Sequence, residues 1–219
     1  YREAYVTMHA LGGRCMTAKD AATLFGQAVG GRGWYAPPDT RALITKQPGV
    51  VRFLEPGAYR MMYGVARMSK NGTGISGDNY TYSGSLPGQV IMSLSDGMGS
   101  GAAADQESRK VIELLQQLLE TGFSARSALK MVNTILMLTG TEQHPATLDL
   151  CCVDLCSGVL EAMKMGAVAT FVLSNGQAEI LDAGNLPAGV LSQAEPALLS
   201  RKLWDNDQII MITDGVLDA

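Results

Sequence analysis

Apolar positions in this chain follow two rhythms, and the change from one to the other marks its elements. From residue 58 onward short apolar runs dominate. Val90 to Leu94, inside GQVIMSLSDGMGSG, reads as a buried strand. Residues 79–86 form a strand before it, and Pro87-Gly88 between the two is a hairpin signal. Residues 58–69, rich in Tyr, Met and Val without a helical stripe, predict a further strand, and Lys70 to Gly77 a glycine-rich turn. The spacing then lengthens. In residues 100–121, Val111, Ile112, Leu114, Leu115, Leu118 and Leu119 make one broad apolar face, closed by Thr121-Gly122. Ser124 is a good N-cap for residues 125–139, where Leu129, Val132, Ile135 and Leu136 recur at helical spacing up to Gly140. Short strands return at 146–156, 159–167, 169–174 and 177–182, separated by Ser157-Gly158 and Asn175-Gly176, a pattern that predicts an antiparallel meander. A loop at Leu186–Gly189 and a last strand at 207–213 follow. Strands surrounding two consecutive helices, laid as a layer on a sheet, make the class α+β.

The first quarter of the chain is less regular. Residues 1–16 give no clear pattern, and Thr17-Ala18-Lys19-Asp20 starts a short helix ending near Gln27. Residues 29–57 hold Gly30-Gly31-Arg32-Gly33, Pro37-Pro38, Pro48-Gly49 and Pro56-Gly57. So many breakers predict a linker or irregular arm over residues 1–57, with one strand at Val50–Leu54. The Gly30–Gly33 cluster lacks the Lys-Ser/Thr ending of a phosphate-binding loop and reads as a turn.

Composition narrows the function. With 47% hydrophobic and 17% charged residues, the 219-residue chain can build a sizeable core. A net charge of −4 argues against a general phosphate-backbone binder, so no nucleic-acid partner is expected. No apolar run reaches the length of a membrane span, and residues 1–12 lack the basic lead and apolar segment of a signal peptide. A cytoplasmic location without membrane contact is the expectation for these residues. The chain starts at Tyr1 and stops at Ala219, just after an acidic turn, which reads as a fragment of a longer protein. Cys15, Cys151, Cys152 and Cys156 lack paired zinc-site spacing and read as small buried residues in a reducing compartment; His9 and His144 are isolated.

The chemistry lies where strands stop. Val90–Leu94 runs into Ser95-Asp96-Gly97, and QIIMITDG at 208–215 repeats the device with Thr213-Asp214-Gly215. A third acid, Asp78, sits in Ser76-Gly77-Asp78-Asn79-Tyr80, where another strand begins. Asp-Gly pairs are common in turns. Here, however, Asp96-Gly97 leads into a helix and Asp214-Gly215 closes an unusually apolar strand. Carboxylates brought together repel one another unless a cation compensates them. Oxygen donors without His or Cys select Mg²⁺ or Mn²⁺. A water held between two such ions loses a proton more easily and attacks phosphorus in line. Asp78, Asp96 and Asp214 are therefore the candidate catalytic residues, and no Ser–His–Asp set or cysteine nucleophile competes with them.

Gly97-Met98-Gly99-Ser100-Gly101-Ala102 also matches the GxGxxA dinucleotide fingerprint, but that fold requires a parallel strand after the helix, and a second helix follows instead. Glu107, Glu113 and Glu120 read as a solvated helix face, and Asp149 and Asp154 as an exposed strand face. Lys164 reads as a solubilising lysine at a strand edge in preference to a phosphate contact.

The three acidic motifs, in this order and with two helices and strands between them, resemble those of the metal-dependent serine/threonine protein phosphatase superfamily (PPM). Asp96-Gly97-Met98-Gly99-Ser100-Gly101 is most similar to the stage II sporulation protein E group, and the resemblance covers residues 58–219. It implies an α-β-β-α sandwich: two antiparallel sheets flanked by helical layers, with two Mn²⁺ or Mg²⁺ ions at one edge. By the same resemblance Asp96 would bridge both ions, the Gly97 carbonyl would be a ligand, Asp214 would hold one ion, and Asp78 would contact the metal shell directly or through water. The implied substrate is a phosphoserine or phosphothreonine protein, in the sporulation group a phosphorylated anti-sigma factor antagonist. Members of that group carry a membrane-embedded N-terminal region. Residues 1–57 would then be a regulatory arm, and the helices at 100–121 and 124–139 switch elements. The family has a further metal-binding aspartate downstream of Asp214-Gly215-Val216. Residues 58–219 are accordingly expected to form an incomplete phosphatase domain with weak metal occupancy and little activity alone. The competing expectation is a non-catalytic regulatory or partner-docking module on the same fold, and homodimerisation is left open.

Overall fold

In the computed structural model, which describes residues 2–31, 33–67, 76–84, 88–99, 101–139, 145–191 and 194–217, the chain divides into two units. Most of the Lys70–Gly77 turn, Pro87, Gly140 and His144 lie outside the described residues.

The first unit comprises residues 1–60 with 155–157. Its strands are β1 (Glu3–Met8), β2 (Met16–Thr17), β3 (Leu43–Ile44) and β4 (Gly49–Leu54), with helix α1 (Ala18–Val29) between β2 and β3. β1 pairs antiparallel with β4, and β2 with β3. Thr17 caps α1: its Oγ1 accepts the Asp20 N–H at 3.1 Å, satisfying a donor the first helical turn leaves free. Ala18, Ala21 and Ala22 let the helix sit close on Ile44, Val51 and Phe53. Phe25 stacks on Phe53 at 5.1 Å between centroids and meets Trp34 edge-on at 5.0 Å. This segment is thus more regular than its breakers suggest. Gly30 illustrates why: it ends α1, its N–H donating to the Gly26 carbonyl, while its own carbonyl accepts the Trp34 indole N–H at 2.8 Å.

The second unit comprises residues 61–154 and 158–219. Its elements run β5 (Asp78–Ser83), β6 (Gln89–Asp96), α2 (Ala102–Glu120), α3 (Ala125–Thr139), β7 (Leu148–Asp154), β8 (Val159–Met165), β9 (Thr170–Ser174), β10 (Gln177–Leu181), β11 (Ala197–Lys202), β12 (Gln208–Met211) and α4 (Asp214–Leu217). Five strands make one antiparallel sheet in the order β11-β8-β7-β6-β5, and three make another in the order β10-β9-β12. β6 is antiparallel to both its neighbours, which removes the dinucleotide-binding reading. The meander expected at 146–182 is split, because β8 and β9 belong to different sheets.

α2 and α3 cover one face of the larger sheet. Val111, Leu115, Leu119, Leu129 and Val132 meet Ile91, Leu148, Leu150, Cys152, Met163 and Met165. Ser124 caps α3 as expected, accepting the Ser127 N–H at 3.3 Å. On the opposite face Val90, Asp149, Cys151, Val153, Leu160, Ala162 and Lys164 are also buried. A sheet buried on both sides loses the alternation that marks a half-exposed one. Cys151 and Cys152 are buried free thiols, and burial pushes Cys152 up to about 12, whereas Cys15 is exposed, contrary to expectation.

One strand assignment fails and one strand in this unit goes unassigned. Residues 58–67 form no strand. Met62 is 91% exposed there, and the Tyr63 ring lies stacked on Tyr82 at 3.8 Å, so the apolar content serves surface ring contacts. β11 was not foreseen: in ALLSRK the adjacent Leu198 and Leu199 hide an inside–outside alternation in which Leu198 faces out.

Candidate metal centre

Asp78 opens β5 and Asp96 closes β6, and the antiparallel register places them directly opposite each other. Opposed residues of such a ladder bring their side chains side by side, where like charges are unfavourable. Asp214 arrives from the other sheet as the first residue of α4, just beyond β12. Asp96 hydrogen-bonds to the side chains of both Asp214 and Asp78. Burial, then those hydrogen bonds and the charges of the same two acids, push its carboxyl up to about 8. The Asp78 carboxylate accepts from the Ser76 hydroxyl at 2.9 Å and the Thr213 hydroxyl at 3.2 Å through the same Oδ2. All three acids singled out from the sequence therefore meet at one sheet edge.

The backbone around them is clamped. The Asp96 N–H donates to Thr147 Oγ1, and the Thr147 N–H returns to the Asp96 carbonyl, both at 3.0 Å. The Gly97 N–H donates to the Gly77 carbonyl at 3.2 Å. Gly97 has no room for a side chain: a Cβ there would stand 2.3 Å from the Ala104 carbonyl oxygen. Its glycine lets the first turn of α2 close over the end of β6. Asn79 ties α2 to β5, its Nδ2 donating to the Asp105 carbonyl at 3.0 Å and to Ser108 Oγ at 2.8 Å, while Ser108 donates to the Gly77 carbonyl. Arg67 donates to the Ser76 carbonyl at 2.7 Å and to Asp105 at 3.1 Å. The Asn79 amide, and then Arg109, hold the Asp105 carboxyl below its ordinary value. Thr147, Ser108, Asp105 and Arg67 carry no motif signal; their roles follow from register and helix packing alone.

The donor chemistry fits a hard divalent cation, since Asp78, Asp96, Asp214 and the Gly97 carbonyl offer only oxygen. Among the described residues no three His, Cys, Asp or Glu side chains form a ready-made cage. The carboxyl groups instead contact one another through Asp96. Among carboxylates so placed, a cation would compensate the mutual repulsion that raises the Asp96 carboxyl.

Two residues read as exposed prove to be the reverse. Lys164 and Asp149 are 0% and 1% exposed and form an ion pair at 2.6 Å. They are cross-strand partners on the inner face of the larger sheet. Lys164 also donates to the Val168 carbonyl and Thr170 Oγ1, each at 2.8 Å, and the Thr170 hydroxyl donates to Asp149 at 2.5 Å. Burial raises the Asp149 carboxyl, and Lys164 and Thr170 pull it back. Glu113 and Glu120, by contrast, do lie on a solvated helix face.

Antiparallel sheets with a helical layer and an acid cluster at one edge define a phosphatase domain of PP2C type. A solved structure of the PP2C phosphatase domain and a fragment of the regulatory domain of the cell fate determinant SpoIIE from Bacillus subtilis matches 99% of this chain at 27% identity. The TM-score is 0.76, and 63% of that chain is covered. The chain belongs to the stage II sporulation protein E (SpoIIE) family, whose family model matches residues 87–219. Stage II sporulation protein E of Bacillus subtilis (strain 168) is 34% identical over 169 residues, which are 77% of this chain and 20% of that protein. The chain thus spans about a fifth of that relative's length. RsbX in complex with magnesium shares the fold, with a TM-score of 0.57 at 18% identity over 68% of this chain and 71% of that one.

Proposed function

We propose that this chain hydrolyses phosphoserine or phosphothreonine on a protein, using Mn²⁺ or Mg²⁺, and that its substrate is a phosphorylated anti-sigma factor antagonist in sporulation control. The observation that carries the reading is the meeting of Asp78, Asp96 and Asp214 at one sheet edge. Family membership and the magnesium complex of RsbX support it. Asp96 would bridge two ions, Asp214 would hold one, the Gly97 carbonyl would add a ligand, and Asp78 would contact the shell. Bound there, the ions would supply Lewis acidity and lower the pKa of the water that attacks phosphorus. The chain's own part is to hold the carboxylates in place. Thr147 fixes the backbone of Asp96, and Ser76 and Thr213 orient Asp78. On the same reading residues 1–57 act as a regulatory arm and the domain works in the cytoplasm.

Phosphate release from a phosphoserine protein tests this. The rate is expected to require Mn²⁺, to vanish with EDTA, and to fall in Asp96→Asn by more than the 10–100-fold typical of changes beside a metal ligand. Hydrolysis unchanged in Asp96→Asn contradicts the proposal. Partner binding by a chain that hydrolyses nothing would favour a docking module.

A further inference from the structure

The Asp149–Lys164–Thr170 network lies where the chain leaves one sheet for the other. Asp149 is on β7 and Lys164 on β8, in the five-stranded sheet; Thr170 is the first residue of β9, in the three-stranded sheet. The ammonium group of Lys164 has three protons and three acceptors: Asp149 Oδ2, the Val168 carbonyl and Thr170 Oγ1. The Thr170 hydroxyl closes the ring by donating to Asp149. Apolar contact between sheets is non-directional, whereas a buried ammonium whose three protons each meet an acceptor favours one offset. Both ends of the network lead to the acids. Two residues before Asp149, Thr147 holds the Asp96 backbone by two hydrogen bonds, one through its side-chain Oγ1 and one through its own N–H. Thr170 pairs with Met211 of β12, three residues before Asp214.

We propose that Asp149, Lys164 and Thr170 are positioning residues of the metal centre: they pin β9, and with it β12 and Asp214, at the offset from β7 that brings Asp214 to Asp96. This rests on the metal-centre reading above and extends it to residues that touch no ion. A buried ion pair that only filled the core would set the stability of the chain and leave the metal affinity of its folded form alone.

The test is Mn²⁺ binding to the full chain, followed by the electron paramagnetic resonance signal of free Mn²⁺ at a temperature where thermal melts show each variant folded. Thr170→Val keeps the side-chain shape and removes the hydroxyl; the expected result is a loss of Mn²⁺ affinity of about 10-fold. Thr170→Ser, which restores the hydroxyl, is expected to bind as the parent does. Arg126→Ala breaks an exposed ion pair with Glu195 and is expected to change nothing. Should Thr170→Val not fold, the double variant Asp149→Leu/Lys164→Met carries the test, because apolar replacement of a whole buried pair is often tolerated. Weaker binding by that folded variant supports the proposal. Parental affinity in a folded Thr170→Val, or in the folded double variant, overturns it. Asp96→Asn run alongside separates the two levels. If Asp96→Asn abolishes binding while Thr170→Val leaves it intact, the centre stands and the positioning role falls. If Asp96→Asn leaves binding unchanged, both fall.

Discussion

Asp96 and Asp149 are acids on the same face of one sheet, and burial leaves each beside a different kind of partner. Asp149 has Lys164; Asp96 has other acids. Removing one partner of a buried pair strands a charge. Lys164→Ala is therefore expected to lower unfolding free energy by about 3–5 kcal/mol in urea denaturation, and the apolar double replacement to cost far less. Asp96 makes the opposite prediction, one that depends on pH. Its folded carboxyl holds a proton up to about 8, against an ordinary value of 3.8. Between those values the folded chain binds more protons than the unfolded one, so stability falls as pH rises. In EDTA, the melting temperature is expected to drop between pH 5 and pH 8.5. Mn²⁺ should reverse most of that drop, and Asp96→Asn should flatten it. The acids were legible in the sequence because Asp-Gly twice closes an apolar run. Lys164 was not, because in ATLDLCCVDLC both strand faces are apolar, and nothing local says that a lysine opposite Asp149 faces inward.

At the scale of elements, β5, β6 and α2 form the frame of the site. Gly97 is its tightest point, with the Ala104 carbonyl where a Cβ would be. Gly97→Ala forces the first turn of α2 away from β6. It is expected to cost about 1–3 kcal/mol in thermal unfolding and to weaken Mn²⁺ binding as well. Asn79→Ala, which unties Ser108 and Asp105 from β5, is expected to cost about 1–3 kcal/mol while leaving the carboxylates themselves intact. Helices were the most legible elements: α2 and α3 lie within two residues of the spans their apolar stripes predict. Strands were harder. β4 was legible as the run Val50–Leu54, but its partner β1 lies beyond β3, α1 and β2, and such distant pairing leaves little local trace. The crossover from β8 to β9 is equally silent, since a hairpin and a change of sheet use the same turn residues.

At the scale of the whole molecule, membership of the SpoIIE family and the sandwich architecture were both legible. The motif order Asp78, Asp96-Gly97, Asp214-Gly215 specifies the fold more narrowly than periodicity does. Cation binding should act on the second unit as a ligand acts on any folded state. At Mn²⁺ one hundred times its dissociation constant, stabilisation is expected to reach about 2.7 kcal/mol, and a chelator should remove it. The central claim is that Asp78, Asp96 and Asp214 converge in order to hold divalent ions. Anomalous scattering at the manganese edge, from crystals of the protein soaked in Mn²⁺, tests it most directly. The account predicts a peak within about 2.0–2.3 Å of an Asp96 carboxylate oxygen, with Asp214 or the Gly97 carbonyl in the same shell. Density at some other place on the surface, or none beside Asp96 at millimolar Mn²⁺, would contradict it.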